Sequence, residues 1–338
     1  MRALDECPAE AVSLSIIDIR PSCPLSQQSA PPTPPGNRRT RPSAYSSAEP
    51  QASVRGIAEA FARHTNGNAH IILVGRNRAA ATAILARLEK PAAPGITREF
   101  LHCDLSLIGN AKRIAAELIA RFPRINMVFL TAGAISLKGL DLNEEGVDCQ
   151  MASLYYSKWA FIDGLLPALR AAKAAGEDAR VAAIHTAGRG GPIDVDDLGL
   201  TKAFNGGMAG VRRLMPQLAS YQDLMAEGFA ERDPTITFAH AFPGTVNTPL
   251  LRASPSAILR AVHYMRYLLF PTLIFRAMSI SDCGERQLYG LLQARPGASR
   301  FGGEGEDIGM GGDGDETWTE SRRVLWEHSE KVVGGVKL

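Results

Sequence analysis

The feature that most constrains the fold is an alternation of short apolar runs with longer helical patterns from residue 56 onward. The runs are almost continuously apolar, which is typical of strands buried on both faces of a parallel sheet. They cover residues 69–75, 98–105, 125–133, 180–188 and 236–244. The helical patterns between them cover residues 57–63, 79–89, 111–122, 147–174 and 208–230. This order predicts a single α/β domain with a doubly wound, Rossmann-like parallel sheet.

The first 52 residues have a different composition from the rest of the chain. Residues 21–52 are dense in Pro, Ser and Arg and have few large apolar side chains. Such a stretch buries too little surface to offset the entropy lost on ordering. We therefore expect a disordered or atypical N-terminal segment, residues 1–52, and a Rossmann-like domain over residues 53–338. Within the segment, residues 12–19 alternate apolar and polar side chains well enough to form a strand.

Charge and cysteine content indicate which partners and which cellular compartment to expect for this chain. The net charge of +2 over 338 residues gives no reason to expect a nucleic-acid partner. The five cysteines are scattered, without a Cys-x-x-Cys pair, and early acidic residues are untypical of a signal peptide. These features favour reduced thiols and a cytoplasmic location.

Membrane and metal sites have little support in the sequence. The most apolar stretch, residues 264–275, contains Arg266 and Pro271 and is too short to span a bilayer. It is expected to act as a buried lid or as a peripheral membrane contact. We find no spacing of metal ligands and no hydrolase motif, and the sequence does not indicate an oligomeric state.

Basic residues follow the run that ends at Gly75. Arg76 and Arg78 stand where a site selective for NAD would carry an acidic residue for the ribose hydroxyls. A guanidinium group instead suits a 2′-phosphate, which it can bind through two hydrogen bonds. The pattern favours NADP(H) with NAD(H) as the alternative, unless these arginines merely belong to an exposed turn.

The next two runs end in residues that could contact a nucleotide. Asp104 could accept a hydrogen bond from an adenine amino group while the backbone of Leu105 reads the ring edge, although Asp at this point also caps helices. Thr131 is followed by Ala132 and Gly133, whose small size lets a ribose approach the backbone. Either pair alone is a weak signal.

The end of the last apolar run is more specific. Pro243 and Gly244 turn the chain directly off the predicted strand, and Thr248 follows four residues after Gly244. At that distance the threonine hydroxyl could hold a carboxamide. Each feature is common by itself, but their order along successive strand ends is not.

These segments together resemble the short-chain dehydrogenase/reductase superfamily over residues 56–292, through "RGIAEAFA", "ILVGRN", "CDLS", "TAG" and "FPGTVNTPL". The segments "YYSKWAFIDGLLPAL" and "CGERQLYGLL" resemble a divergent branch seen mostly in filamentous fungi. That family binds NAD(P)(H) and transfers hydride to or from alcohols and ketones. The resemblance implies a set of cofactor contacts at Gly56, Arg76, Asn77, Asp104, Leu105, Ala132, Gly133, Pro243, Gly244 and Thr248.

The family's catalytic residues are only partly present. Its serine position is held by Thr186, whose hydroxyl can still orient a carbonyl group. Its tyrosine and lysine positions fall near Gly210 and Leu214, which cannot do the chemistry. The nearest tyrosine on that helix is Tyr221, but Met225 follows four residues later, so no cation is placed to lower the pKa of the phenol. Thr186 and Tyr221 are the predicted catalytic residues.

Two further features of the sequence are interpreted as structural. The family's asparagine position falls near Leu154. The segment from Tyr155 to Lys158 resembles the tyrosine–lysine signature, but its spacing is wrong and it precedes the strand that carries the hydroxyl, so we predict ordinary helix. His185 and His240 lie in apolar runs and are predicted to be core histidines.

The glycine motif of the family is also incomplete. Its three positions fall at Ala52, Gly56 and Ala58, so only the middle glycine remains. Three explanations remain open for the strand that should precede the motif. Residues 12–19 supply it across a long loop, or the strand is absent. In the third, residues 1–52 come from a mistaken gene start or a retained intron.

The resemblance implies an NADP(H)-dependent oxidoreductase acting on the alcohol or ketone of a small lipophilic metabolite, in secondary metabolism. Residues 258–275 would close over that substrate. A Rossmann-type protein that binds a nucleotide or a partner without turnover is the main alternative, because the Asn, Tyr and Lys positions are all changed. A membrane-surface protein is the third.

Overall fold

A computed structural model describes residues 14–19, 49–91, 93–133, 139–244, 246, 278–311 and 316–337. The strands of its sheet are β1 (Leu14–Ile19), β2 (His70–Gly75), β3 (Arg98–His102), β4 (Met127–Leu130), β5 (Arg180–Ile184), β6 (Thr237–Ala241) and β7 (Gly297–Phe301). The helices are α1 (Glu49–His64), α2 (Arg78–Leu85), α3 (Ile108–Arg121), α4 (Cys149–Met151), α5 (Ser157–Ala174), α6 (Thr201–Phe204), α7 (Gly207–Arg232), α8 (Ile280–Gln293) and α9 (Glu316–Gly335). A π-helical turn, Ala152–Tyr156, joins α4 to α5.

The sheet has the strand order β3–β2–β1–β4–β5–β6–β7. The pairs β2–β3, β4–β5, β5–β6 and β6–β7 are parallel. Helices cover both faces, as long apolar strands require. The predicted Rossmann-like α/β fold is therefore confirmed.

The central strand β1 runs against its neighbours. It pairs antiparallel with β2 and β4, so Ile19 lies opposite His70 and Leu14 lies opposite Gly75. Of the alternatives for the first strand, the structure has the strand predicted within residues 12–19, and it covers Leu14–Ile19. Because β1 is antiparallel to its neighbours, it ends at the edge of the sheet where β2 begins. Ile19, the last residue of β1, therefore lies at the edge of the sheet opposite to the carboxyl ends of the parallel strands.

Two apolar cores flank the sheet. One packs Val128, Val181 and Phe238 against α3, α5, α7 and α9. The other packs Leu73 and Ala239 against α1, α2 and α8. The carboxyl ends of the strands lie between these two layers and are held in place by both.

Helix α1 packs on helix α8 at very short range. A Cβ atom at Gly56 would lie 2.1 Å from the carbonyl oxygen of Ile280, and one at Gly284 would lie 2.0 Å from the backbone of Gly56. Such a crossing requires glycine on both helices, because any side chain would force the two backbones apart.

Among the described residues, no helix is both long enough and apolar enough to cross a membrane. The apolar segments predicted as a lid or membrane contact, residues 258–275 and 264–275, lie outside the described residues.

Candidate functional site

The predicted nucleotide contacts lie mainly at one edge of the sheet. Strands β2, β4, β5 and β6 share this edge because they run in the same direction. Arg76 directly follows β2 and Thr131 directly follows β4, whereas Thr186 and Pro243 are the second residues after β5 and β6. In open α/β sheets ligands bind at this edge.

Arg76 and Asp104 are brought together at the β2–β3 end of the edge. The Nη1 atom of Arg76 lies 3.9 Å from Oδ1 of Asp104, and both side chains are partly exposed. Asp104 Oδ1 also accepts hydrogen bonds from the backbone N–H and the hydroxyl of Ser106, at 2.9 and 2.8 Å. The arginine thus presents a guanidinium to solvent beside a carboxylate whose position is fixed by the following turn.

The neighbours of these two residues have structural contacts. The side chain of Asn77 caps α2 by accepting from the N–H of Ala80 at 2.9 Å. Leu105 is buried, and its carbonyl accepts a hydrogen bond from the Ser157 hydroxyl at 2.8 Å. Nucleotide contacts of Asn77 and Leu105 remain predictions.

Two glycines that are predicted to contact the cofactor adopt positive φ angles at this edge of the sheet. Gly133 has φ +141°, and a Cβ atom there would lie 2.2 Å from Cδ2 of Leu154. Gly244 has φ +75°, and its Cβ atom would lie 2.5 Å from Cε of Met278. Neither position has room for a larger residue. The adjoining Ala132 is buried.

The remaining predicted cofactor contacts are Gly56, Pro243 and Thr248. Gly56 lies in the interior of α1 rather than at its N-terminus, so its N–H points along the helix and not towards a phosphate. The carbonyl of Pro243 accepts a hydrogen bond from the thiol of Cys283 at 3.6 Å. Thr248 lies outside the described residues.

Thr186 is held at the edge by two histidines. Its backbone N–H donates to Nε2 of His240 at 3.2 Å, and its hydroxyl lies 2.9 Å from Nδ1 of His185. Thr186 is only 5% exposed. His240 is thereby fixed as the tautomer that carries its proton on Nδ1, because Nε2 acts as an acceptor.

A buried ion pair lies behind His240. Its Nδ1 atom donates to Oδ1 of Asp223 at 2.7 Å, and Oδ2 of Asp223 accepts from Nη1 of Arg300 at 3.1 Å. Asp223 and His240 are fully buried. Sequence reasoning predicted a satisfied core histidine at His240, and the structure supplies its partners from α7 and β7. The same reasoning missed Asp223 and Arg300, because their contacts join distant parts of the chain.

Lys158 is a further polar residue whose burial the sequence does not reveal. It lies on α5, is 1% exposed, and its Nζ atom has no hydrogen-bond partner among the described residues. Burial lowers the pKa of Lys158 to about 7. The pKa of His185 is lowered well below its usual value by burial, by the charge of Lys158 and by His240. The signal in the sequence that could have predicted this burial is a lysine within an otherwise apolar helical pattern.

Tyr221 lies in the core on α7. It is fully buried, its hydroxyl donates to the carbonyl of Leu198 at 3.3 Å, and its ring contacts Tyr155 edge to face. Burial raises the pKa of the Tyr221 phenol, with smaller contributions from Tyr156 and Tyr155. No hydrogen bond joins Tyr221 to Thr186 in the part of the chain that the structure describes, so the catalytic role of Tyr221 remains a prediction.

The family's remaining catalytic positions have packing roles. Leu214 is buried on α7, and Leu154 packs on Gly133 in the π-helical turn. Tyr155 and Tyr156 bond instead to α9, through Ser329 at 2.9 Å and His328 at 2.6 Å. Within the described residues, the site therefore has a hydroxyl group and two imidazole groups but no tyrosine–lysine pair four residues apart.

A nicotinamide dinucleotide fits this edge in part. The tight backbone at Gly133 and Gly244 and the guanidinium of Arg76 suit a ribose and a 2′-phosphate. The usual glycine turn for the pyrophosphate does not fit, because β1 ends at the opposite edge and Gly56 is enclosed in α1. Within the described residues, no cluster of three His, Cys, Asp or Glu side chains could hold a metal ion.

The chain is similar to named oxidoreductases of fungi. No protein-family model matches it. It is 28% identical over 222 residues to "Oxidoreductase AN1596" of Emericella nidulans, covering 66% of this chain and 63% of that protein. It is 26% identical over 294 residues to "Short-chain dehydrogenase/reductase SAT2" of Stachybotrys chartarum, covering 83% and 76%.

The fold has a counterpart among solved structures. An uncharacterized protein from Mycobacterium Paratuberculosis superposes with a TM-score of 0.52 at 18% identity, covering 82% of this chain and 90% of that one. At this identity the match shows the shared fold alone. The chain spans less than two thirds of the length of the Emericella relative. The sequence similarity to relatives from fungi confirms the resemblance of this chain to the short-chain dehydrogenase/reductase superfamily.

Proposed function

We propose that this protein is an NADP(H)-dependent oxidoreductase that acts on the alcohol or ketone of a small lipophilic metabolite, in secondary metabolism. One observation carries the proposal. A hydroxyl group, Thr186, lies at the carboxyl edge of a Rossmann-like sheet, and its backbone and side chain are both fixed by hydrogen bonds. The names of the fungal relatives support the reaction class.

The preference for NADP(H) rests on Arg76. Its guanidinium lies at the end of β2, where a 2′-phosphate would be bound, and the residue that follows is neutral. Oδ1 of Asp104 lies 3.9 Å from Nη1 of Arg76, and both side chains are partly exposed, so a phosphate could approach the guanidinium. The bound nicotinamide would supply or accept the hydride. This chain's residues would hold the nucleotide and position the carbonyl.

Thr186 is the group that would orient the substrate. With His185 neutral, the threonine hydroxyl can donate to a substrate oxygen while Nδ1 of His185 stays within hydrogen-bond reach. Tyr221 could serve as proton donor only after giving up its bond to Leu198. Variants at the two positions therefore separate their roles.

A nucleotide-binding protein without turnover is the second candidate. It is favoured by a specific observation: Gly210 is packed so tightly on Ala203 that a Cβ atom would lie 1.9 Å from that carbonyl, so this helix position cannot hold the family's tyrosine. In this case the site would bind the nucleotide and transfer no hydride.

Steady-state turnover on a panel of ketones and alcohols separates the candidates. The purified protein should oxidise NADPH in the presence of at least one ketone. Thr186→Val should lower kcat about a hundredfold, whereas Thr186→Ser should retain most activity. Thr82→Val on the exposed face of α2 is the matched control. Nucleotide binding without turnover would establish the second candidate, and Tyr221→Phe with unchanged kcat would remove Tyr221 from the mechanism.

A further inference from the structure

The segment that follows β7 is a glycine-rich, acidic loop that contains two large apolar residues. Residues 302–315 consist of glycine, glutamate and aspartate apart from Ile308 and Met310. Among the residues that the structure describes, Ile308 is half-buried and packs in neither of the two apolar cores. An isoleucine at this position therefore does not serve the core, and its contacts indicate another use.

The side chain of Ile308 packs on the turn that carries Thr186. The carbonyl of Thr186 accepts a hydrogen bond from the N–H of Arg189 at 3.1 Å, which closes a four-residue turn. Gly188 is the third residue of this turn and has φ +76°. Cδ1 of Ile308 lies 2.9 Å from the position that a Cβ atom would occupy at Gly188. An apolar methyl group is therefore in contact with the backbone two residues beyond the predicted substrate-orienting hydroxyl.

The position of Ile308 is fixed by Arg300. The N–H of Ile308 donates to the carbonyl of Arg300 at 3.1 Å, and Nε of Arg300 donates to the carbonyl of Gly309 at 2.6 Å. The same guanidinium donates to Oδ2 of Asp223 at 3.1 Å. Because Asp223 also holds the histidine that accepts from the N–H of Thr186, one network positions both the hydroxyl and the isoleucine. Such shared support keeps two groups that act on one substrate in a constant relative position.

The loop also contacts the end of β6. A Cβ atom at Gly303 would lie 3.0 Å from Cα of Gly244 and 3.8 Å from Cδ1 of Phe242. Gly244 is one of the predicted cofactor contacts. The loop therefore lies against the ends of both β5 and β6, where the proposed reaction would take place. A substrate whose carbonyl is held by Thr186 must have its other atoms beside the segments that surround this turn, and the loop is one of them.

We propose that the loop of residues 302–311 forms one wall of the substrate site, and that Ile308 selects substrates with a bulky apolar group. The inference rests on the proposed function. In this account the substrate oxygen is held by Thr186, and the hydrocarbon portion of the substrate packs on the exposed part of the Ile308 side chain. This contact favours a large ketone over a small one, because affinity rises with the apolar area removed from water.

Kinetics with two ketones of different size test the wall. The bicyclic ketone decalone is compared with cyclohexanone, with NADPH as the reductant. Ile308→Ala should lower kcat/KM for decalone about tenfold, change that for cyclohexanone by less than about twofold, and leave KM for NADPH unchanged. Ile308→Leu should retain most of the selectivity. Ile119→Ala, which shortens a half-buried isoleucine on α3, is the matched control and should change neither ketone's value. Equal losses for both ketones, or no loss for either, would overturn the proposal.

A binding measurement decides the proposal even if no turnover occurs. The δ1 methyl groups of isoleucine are isotope-labelled in the full chain, decalone is titrated in the presence of NADP+, and Ile308→Leu assigns the Ile308 signal in the NMR spectrum. The Ile308 methyl signal should shift in a saturable manner while the Ile119 signal stays unchanged. Absence of a saturable shift at Ile308 would overturn the proposed wall. A shift without turnover of any ketone by the wild type would support the wall and overturn the oxidoreductase function.

Discussion

Nδ1 of His240 lies 2.7 Å from Oδ1 of Asp223, and both side chains are completely buried. The contact joins β6 to α7, and Arg300 extends it to β7. On its other side the imidazole accepts a hydrogen bond from the N–H of Thr186, the second residue after β5. A buried charged network therefore fixes the turn that carries the predicted catalytic hydroxyl.

Asp223→Asn should destabilise the protein by about 3 kcal/mol, because it leaves the guanidinium of Arg300 largely buried without its anion. Urea unfolding followed by tryptophan fluorescence measures the change in the free energy of unfolding. Asp196→Asn is a matched control on an exposed loop. Equal midpoints for the two variants would contradict the account of this network.

Lys158→Met should stabilise the protein at low pH. In the folded protein the pKa of Lys158 falls from 10.5 to about 7. The unfolded chain therefore binds more protons between these values, and the stability of the wild type rises with pH across that interval. Below about pH 7 the folded protein bears the full cost of the buried charge, about 5 kcal/mol for this shift.

The measurement for this prediction is the difference in unfolding free energy between Lys158→Met and the wild type at several pH values. The gain should be largest near about pH 6 and should shrink as the pH is raised to about 9. Subtracting the wild type removes the contribution of other titrating groups. Lys90→Met, which removes an exposed lysine, should give no such trend. A gain in Lys158→Met that is independent of pH would show that the pKa of Lys158 is the same in the folded and unfolded states.

Gly56→Ala separates two roles of the glycine that resembles part of the family's motif. The structure places it against the backbone of α8, so a methyl group should open the α1–α8 crossing and destabilise the protein by about 2 kcal/mol or more without any nucleotide. Thermal unfolding of the nucleotide-free protein measures this effect.

Gly334→Ala is the matched control for that substitution, because Gly334 also lies in a helix but has no atom within 4 Å of an added Cβ. It should be neutral or slightly stabilising, since alanine favours helix. If Gly56→Ala leaves stability unchanged and weakens only nucleotide binding, the glycine belongs to a phosphate site and the packing role is wrong.

The sheet could be predicted from the sequence where a strand is a continuous apolar run. Runs such as the one around Leu73 predict a strand that is buried on both faces. The positions of Arg76 and Thr186 at the edge of the sheet follow from where those runs end. Strand β7 was missed because Gly297–Phe301 contains few apolar residues and gains its place by pairing with β6.

The direction of β1 and the buried polar cluster could not be predicted. Alternation with period two is the same in both directions along a strand, so residues 14–19 do not indicate whether they run parallel or antiparallel. The surroundings of Lys158 and Asp223 are formed by residues far away in the sequence. Asp223, for example, accepts a hydrogen bond from Arg300. Local patterns therefore predict the edge of the site and its exposed charges but not its buried charges.

The most direct test of the central claim is a calorimetric titration of the full chain with NADPH and with NADH. The account predicts that NADPH binds at least about tenfold more tightly than NADH, and that Arg76→Met removes this preference while leaving NADH binding unchanged. Binding of neither nucleotide would contradict the claim that the carboxyl edge beside Arg76, Asp104 and Thr186 is a dinucleotide site.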